Sequence, residues 1–299
     1  MHISLDSALG RQRRLNSVGE SLLQISPNAS IALSLRSLTG GDPLVVRVRR
    51  SSDNLEQDFT ASEVSSGALV DFVGSGNDGF VETWYDQSGS KNATQTNTSN
   101  QPKIVESGSL ITETRSGVTT AAIKFTSDSG TPANSDFLQT SSIYVSTSAS
   151  AITTCLVVPC QDDSNENKGI LGKNNSNNRV SIDHNGTNSY RFNMPARREY
   201  ANTLQTVGDV DLYFNVVAGT TANTDDECFR NNTQLTGNTN TVPSVGADMN
   251  QIGSRRGGTS SAKGTDGNYQ EIVIYTSDLR SQGADIRNEI INHYSLPQD

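Results

Sequence analysis

Apolar and polar positions alternate in short runs from residue 27 onward, the two-residue period of strands with one buried face. Residues 32–38 (Ala-Leu-Ser-Leu-Arg-Ser-Leu) make one such run. It stops at Thr39-Gly40-Gly41-Asp42-Pro43, where Gly and Pro punctuate the chain. Residues 44–49 (Leu-Val-Val-Arg-Val-Arg) predict a half-buried strand, and residues 80–85 another, closed by a turn at Ser88-Gly89. Further strands are predicted over 121–125, 152–158, 169–172, 180–183, 190–193, 211–217, 227–229, 251–253 and 270–275. Two segments depart from this period. Residues 61–73 predict a short helix with Ser62 and Glu63 near its capped start. Near the end, Leu279, Ile286, Ile290, Ile291 and Tyr294 fit one face of a helix that stops before Pro297. Many short strands between Gly, Asn and Ser turns predict an all-β fold, a two-sheet jelly-roll sandwich with a C-terminal helix. No repeat of solenoid or propeller period is visible.

Residues 1–26 stand apart from the domain predicted over 27–299. Leu15, Val18, Leu22 and Leu23 fall at helical spacing in a polar, Arg-rich stretch too short to build its own core. It either docks on the domain or forms an arm that holds a neighbouring subunit, and the arm is favoured. Arg11, Arg13, Arg14, Leu15 and Leu22 are then the candidate assembly contacts.

Composition narrows the function classes. Only 33% of the 299 residues are hydrophobic and 18% charged, so Gly, Ser, Thr, Asn and Gln fill much of the rest and favour turns and β surfaces. A net charge of −9 argues against a general nucleic-acid or anionic-membrane binder. No run is long or apolar enough to insert in a membrane as a helix. Cys155, Cys160 and Cys228 form neither a disulfide framework nor a zinc pattern, and the apolar run around the first two predicts buried structural thiols. His2, His184 and His293 lie far apart, with no Ser-His-Asp or zinc pattern. The acidic runs 162–166 and 225–227 supply oxygen ligands that calcium takes, but neither matches a defined calcium loop, so no cofactor is expected.

Two tracts carry a family resemblance: Leu44-Val45-Val46-Arg47-Val48-Arg49-Arg50-Ser51-Ser52-Asp53-Asn54, and Trp84-Tyr85-Asp86-Gln87-Ser88-Gly89. A strand ending in Arg-Ser-Ser-Asp, then one ending in Tyr-Asp-Gln-Ser-Gly, resembles the catalytic domain of the fungal arabinofuranosidase-B family. The resemblance implies a concanavalin/laminin-G type jelly roll, and extends more loosely over residues 30–295. Bacteriophage virion proteins carry a similar module, and their lead-in resembles residues 5–16 (Leu-Asp-Ser-Ala-Leu-Gly-Arg-Gln-Arg-Arg-Leu-Asn).

A retaining glycosidase needs two carboxyl groups close together. The positions that the resemblance assigns to them hold Arg230 and Arg255, which neither attack an anomeric carbon nor donate a proton near neutral pH. A shift of register would bring in Asp225, Asp226, Glu227 or Asp266 instead. The expectation is therefore a non-enzymatic virion structural protein, a capsid decoration or a head or tail appendage. Its expected partners are other virion proteins or copies of itself in a symmetric oligomer, with host-surface polysaccharide as a further contact. Lacking a visible signal peptide, the chain is expected in the virion, made in the host cytoplasm and released by lysis. Trp84, Asp86, Arg255, Arg256 and Asp266 are the candidate glycan contacts. The alternatives are a glycoside hydrolase of arabinofuranosidase type and a stand-alone carbohydrate-binding module.

Overall fold

Strand Ala151–Pro159 is apolar along almost its whole length because both of its faces are covered. Ile152, Leu156 and Val158 point into one hydrophobic core, while Cys155 and Val157 point into a second on the opposite face. Its neighbours divide in the same way: Ile272 and Ile274 face the first core, Val273 and Tyr275 the second. This computed structural model describes residues 19–89, 91–142, 151–161, 168–173, 179–183, 189–194, 196–201, 208–218, 226–236, 241–243, 249–260 and 262–298.

The strands form two principal antiparallel sheets. The six-stranded sheet runs in the order Ile31–Ser34, Glu271–Tyr275, Ala151–Pro159, Val210–Ala218, Glu227–Arg230, Thr233–Gln234. The larger sheet has fifteen strands, with Leu44–Arg50, Gly79–Trp84, Ala93–Thr94, Leu138–Thr140 and Gln251–Ile252 across its middle. The first core lies between the sheets and contains Leu33, Val46, Trp84, Leu138, Tyr213 and Ile252. The second lies between the six-stranded sheet and the C-terminal helix Gly283–Tyr294, whose Ile286, Ile290 and Ile291 are fully buried. The architecture is thus an all-β jelly-roll sandwich with a helix laid on one outer face.

Local chemistry changes several sequence boundaries. The helix expected over 61–73 is two helices, Ala61–Ser66 and Ala68–Val73, because Gly67 between them takes a left-handed φ of 93°. Its cap is Thr60, just before Ser62 and Glu63 in the first turn: the Thr60 hydroxyl accepts from Glu63 N while the Glu63 carboxylate accepts from Thr60 N. The run 32–38 supplies only the strand Ile31–Ser34 before the chain turns into a loop. Cys155, Cys160 and Cys228 are free and buried.

Leu22 begins a four-residue helix, Leu22–Ile25, and is fully buried in the second core. It is therefore a core residue of its own domain and offers no surface to a neighbour. Arg11, Arg13, Arg14 and Leu15 lie outside the described residues.

Candidate functional site

A β-bulge shapes the outer face of the larger sheet. Arg47 pairs with Thr83 while Val48 pairs with Val81, so Glu82 is the extra residue in strand Gly79–Trp84. Val81 and Trp84 keep their places in the first core, and Glu82 and Thr83 together join the side facing away from it. From Thr83 a row of polar residues continues across the strands in register. Asp58 pairs with Arg47, Arg47 with Thr83, Thr83 with Thr94, Thr94 with Gln139, and Gln139 with Gln251. At ~4.8 Å between strands this row is about 24 Å long.

The two ends of the row differ in charge. At one end Arg47 donates to both oxygens of Asp58, at 2.7 and 3.0 Å, and the Tyr85 hydroxyl donates to Asp58 at 2.6 Å. The Arg47 bond holds the Asp58 carboxyl below its ordinary range, while burial and the bond to Asp58 push the Tyr85 hydroxyl up to about 12. Toward the middle the Glu82 carboxylate accepts from the Thr83 hydroxyl, and beyond it the row continues with the uncharged Thr94, Gln139 and Gln251. A hollow of about 280 Å³ is lined there by Thr94, Gln95, Thr96, Phe137, Gln139 and Ser141. Phe137 lies outside both core clusters but is itself only 8% exposed, and Gly257 packs against its ring, where a Cβ would stand 2.5 Å from the ring carbon Cγ. Gln139 is fixed by the Gln251 amide, which donates to its Oε1 at 3.0 Å. Amides and hydroxyls beside an aromatic ring suit a hydroxyl-rich, uncharged ligand.

A second cleft, of about 640 Å³, lies at the end of strand Val210–Ala218 and is strongly charged. Glu113, Arg115, Asp209, Asp211, Arg230 and Asn231 line it. The Asn231 amide donates to Asp211 at 3.0 Å, and burial raises the Asp211 carboxyl above its ordinary range against that bond. Cys160 N donates to Asp209 O at 2.9 Å, extending the pairing of Pro159 with Val210. Asp209 and Asp211 therefore project on the same side of one extended segment, with Cα atoms about 6.6 Å apart. The cleft brings together residues remote in sequence, and of those singled out beforehand it contains only Arg230.

The other singled-out residues are scattered. Trp84 is fully buried. Asp86 accepts from the backbone amides of Ala32, Ser88 and Lys91 at 2.8–3.1 Å, binding its own turn to strand Ile31–Ser34. Arg255 is buried in a separate hairpin, Ser254–Arg255 with Lys263–Gly264, and does not line the cleft that holds Arg230. Arg256 follows it with a left-handed φ of 59°. Asp266 accepts from Ser127 N at 2.8 Å and pairs with Lys168 at 2.8 Å, which lowers its carboxyl against the opposing effect of burial. Asp226 and Glu227 line neither site, while Asp225 and the acidic run 162–166 lie outside the described residues. Among the described residues, no three His, Cys, Asp or Glu side chains are grouped to hold a metal, and no helix is long and apolar enough to cross a membrane.

No protein-family model matches the sequence, and no curated protein is similar to it at a significant level. Solved structures do match. One is a crystal structure of an arabinofuranosidase complexed with arabinofuranosyl-α-1,2-xylobiose, with a TM-score of 0.53 and 14% identity. That match covers 92% of this chain, and the chain spans 65% of the arabinofuranosidase's length. Another is a sialidase of Trypanosoma rangeli in complex with 2,3-difluorosialic acid, with a TM-score of 0.40 and 12% identity over 73% of this chain and 32% of the sialidase. At such identity the arabinofuranosidase match shows a shared fold alone.

Proposed function

We propose that this protein recognises carbohydrate without cleaving it, through the outer face of its larger sheet, as a structural component of a bacteriophage virion. The observation that carries the recognition is the uncharged hollow of Thr94, Thr96, Phe137 and Gln139 in line with the cross-strand polar row. A sugar hydroxyl both donates and accepts, so it can satisfy amide and hydroxyl groups together while the ring edge of Phe137 packs on its C–H face. The virion setting, with copies of itself and other virion proteins as partners, rests on the resemblance of residues 5–16 and of the Arg-Ser-Ser-Asp and Tyr-Asp-Gln-Ser-Gly tracts.

A panel of immobilised neutral polysaccharides, probed with wild type and with Gln139→Ala and Thr96→Val, tests the recognition. Both positions are accessible, so the variants keep the fold and are expected to weaken binding about tenfold, the loss of one or two hydrogen bonds. Failure of the wild type to bind any member of the panel would remove the reading.

One observation favours hydrolysis instead, and it concerns an acid pair at positions other than Arg230 and Arg255, which the resemblance assigns. Asp211, raised by burial, would protonate the glycosidic oxygen, and Asp209 at the rim would take a proton from the attacking water. On this reading the wild type releases reducing ends from a polysaccharide and Asp211→Asn abolishes the release. If the wild type releases none, hydrolysis at this cleft is excluded.

A further inference from the structure

Recognition at the hollow leaves the charged end of the cross-strand row without a role. Asp58 engages Arg47 through Nε and Nη2, so the Arg47 Nη1 has no acceptor among the described residues. The half-buried Tyr85 gives its hydroxyl proton to Asp58 and keeps the oxygen lone pairs as acceptors. The bulge turns Glu82 to this same side, near enough to act on the charge of Arg47 and on the Tyr85 hydroxyl. One Glu82 oxygen accepts from the Thr83 hydroxyl, and the other accepts from no side chain among the described residues. The end is open to solvent, with the Arg47 side chain 40% exposed and that of Asp58 33%.

A guanidinium, two carboxylates and a phenol offer donors and acceptors together, and hydrogen bonds from hydroxyls to charged groups are the strong ones. Two carboxylates against one guanidinium favour an uncharged hydroxyl over a carboxylate or sulfate on the ligand. Asp58 stands four strand spacings from Gln139, ~19 Å at ~4.8 Å each, and Arg47 stands two from Thr94. A single sugar ring reaches one end or the other, not both. Thr83, between them, is short and buried. We propose that Arg47, Asp58, Tyr85 and Glu82 form a second subsite on this face, and that the ligand is an internal stretch of a linear, uncharged glycan lying across the strands. This subsite presupposes the recognition at the hollow proposed above.

Calorimetric titration of the full chain with cello-, xylo-, manno- and arabino-oligosaccharides of two to six units tests it. In the series that binds best, affinity should rise about tenfold from disaccharide to hexasaccharide, as hydrogen bonds at the second end are added. Tyr85→Phe and Asp58→Asn should each weaken the hexasaccharide about fivefold and leave the disaccharide unchanged, whereas Gln139→Ala weakens both. In the wild type, the amide resonances of Arg47 and Tyr85 should shift with the hexasaccharide and not with the disaccharide. Affinity independent of length, or hexasaccharide shifts that stop at Thr94, would overturn the subsite and leave the hollow standing. Tighter binding of tetragalacturonate than of any neutral tetrasaccharide would overturn the uncharged class. If no oligosaccharide of any series binds, recognition at the outer face itself fails, and the subsite with it.

Discussion

Asp136 accepts a hydrogen bond from Thr126 N at 2.8 Å, yet burial pushes its carboxyl up to about 7. A folded-state value raised above the unfolded one means that this group favours folding only while protonated. Its contribution is fully present below about pH 4 and is lost as pH rises through about 7. Asp136→Asn keeps an acceptor for Thr126 N and removes the buried charge. Thermal melts should show the variant more stable by on the order of 2 kcal/mol at pH 8, with the difference closing below pH 4. A variant equally destabilised at both pH values would refute this assignment. At this scale the sequence says little. Asp86 and Trp84 stood out in a recognisable tract, but one binds backbone amides and the other fills the core. Gln139 carried no signal because its place comes from pairing with Thr94 and Gln251 across large sequence separations, and Phe137 carried none because Gly257, far along the chain, packs against its ring.

Elements were more legible than residues, for a physical reason. A strand buried on both faces, such as Ala151–Pro159, is apolar apart from Thr153 and Thr154, and a helix on a sheet must carry its apolar stripe, as Gly283–Tyr294 does. Interruptions were harder to see. The bulge at Glu82 exists because strand Leu44–Arg50 has one residue fewer to offer there, a property of the pair and not of either sequence. Gly253 is a similar case. It ends strand Gln251–Ile252 with a φ of 80°, and a Cβ there would stand 2.1 Å from Phe125 Cδ1. Gly253→Ala combines backbone strain with overpacking and should cost about 3 kcal/mol in urea unfolding. A cost below about 1 kcal/mol would mean that the Phe125 ring moves freely aside.

At the scale of the whole molecule, one ion cluster joins a loop, a central strand and the C-terminal helix. Arg36 leaves the loop after Ile31–Ser34, Glu271 begins a central strand, and Glu289 lies on the C-terminal helix. The Tyr294 hydroxyl donates to Glu271 at 3.0 Å in the same cluster. Glu271 is fully buried, so removing Arg36 leaves carboxylates without their cation. Arg36→Ala should cost about 3–5 kcal/mol, whereas Glu289→Gln, which relieves the repulsion between two acids, should cost under about 1 kcal/mol. Equal costs in denaturant titrations would contradict this division. The layering itself was legible in the strand pattern. Which outer surfaces carry chemistry was not, because the charged cleft joins Glu113–Ser116 to Gly208–Asp211 and Arg230, and the uncharged hollow joins Thr94–Thr96 to Phe137 and Gln139.

Those two surfaces give the central claim its most direct measurement. Backbone amide resonances of the isotopically labelled full chain would be followed by NMR while a neutral oligosaccharide, chosen from the best polysaccharide of the panel, is added. Non-cleaving recognition at the outer face predicts saturable shifts at Thr94, Thr96 and Gln139, none at Asp209, Asp211 and Asn231, and intact sugar signals after prolonged incubation. Shifts confined to Asp209, Asp211 and Asn231, with free reducing sugar accumulating, would contradict it and make the protein a glycoside hydrolase.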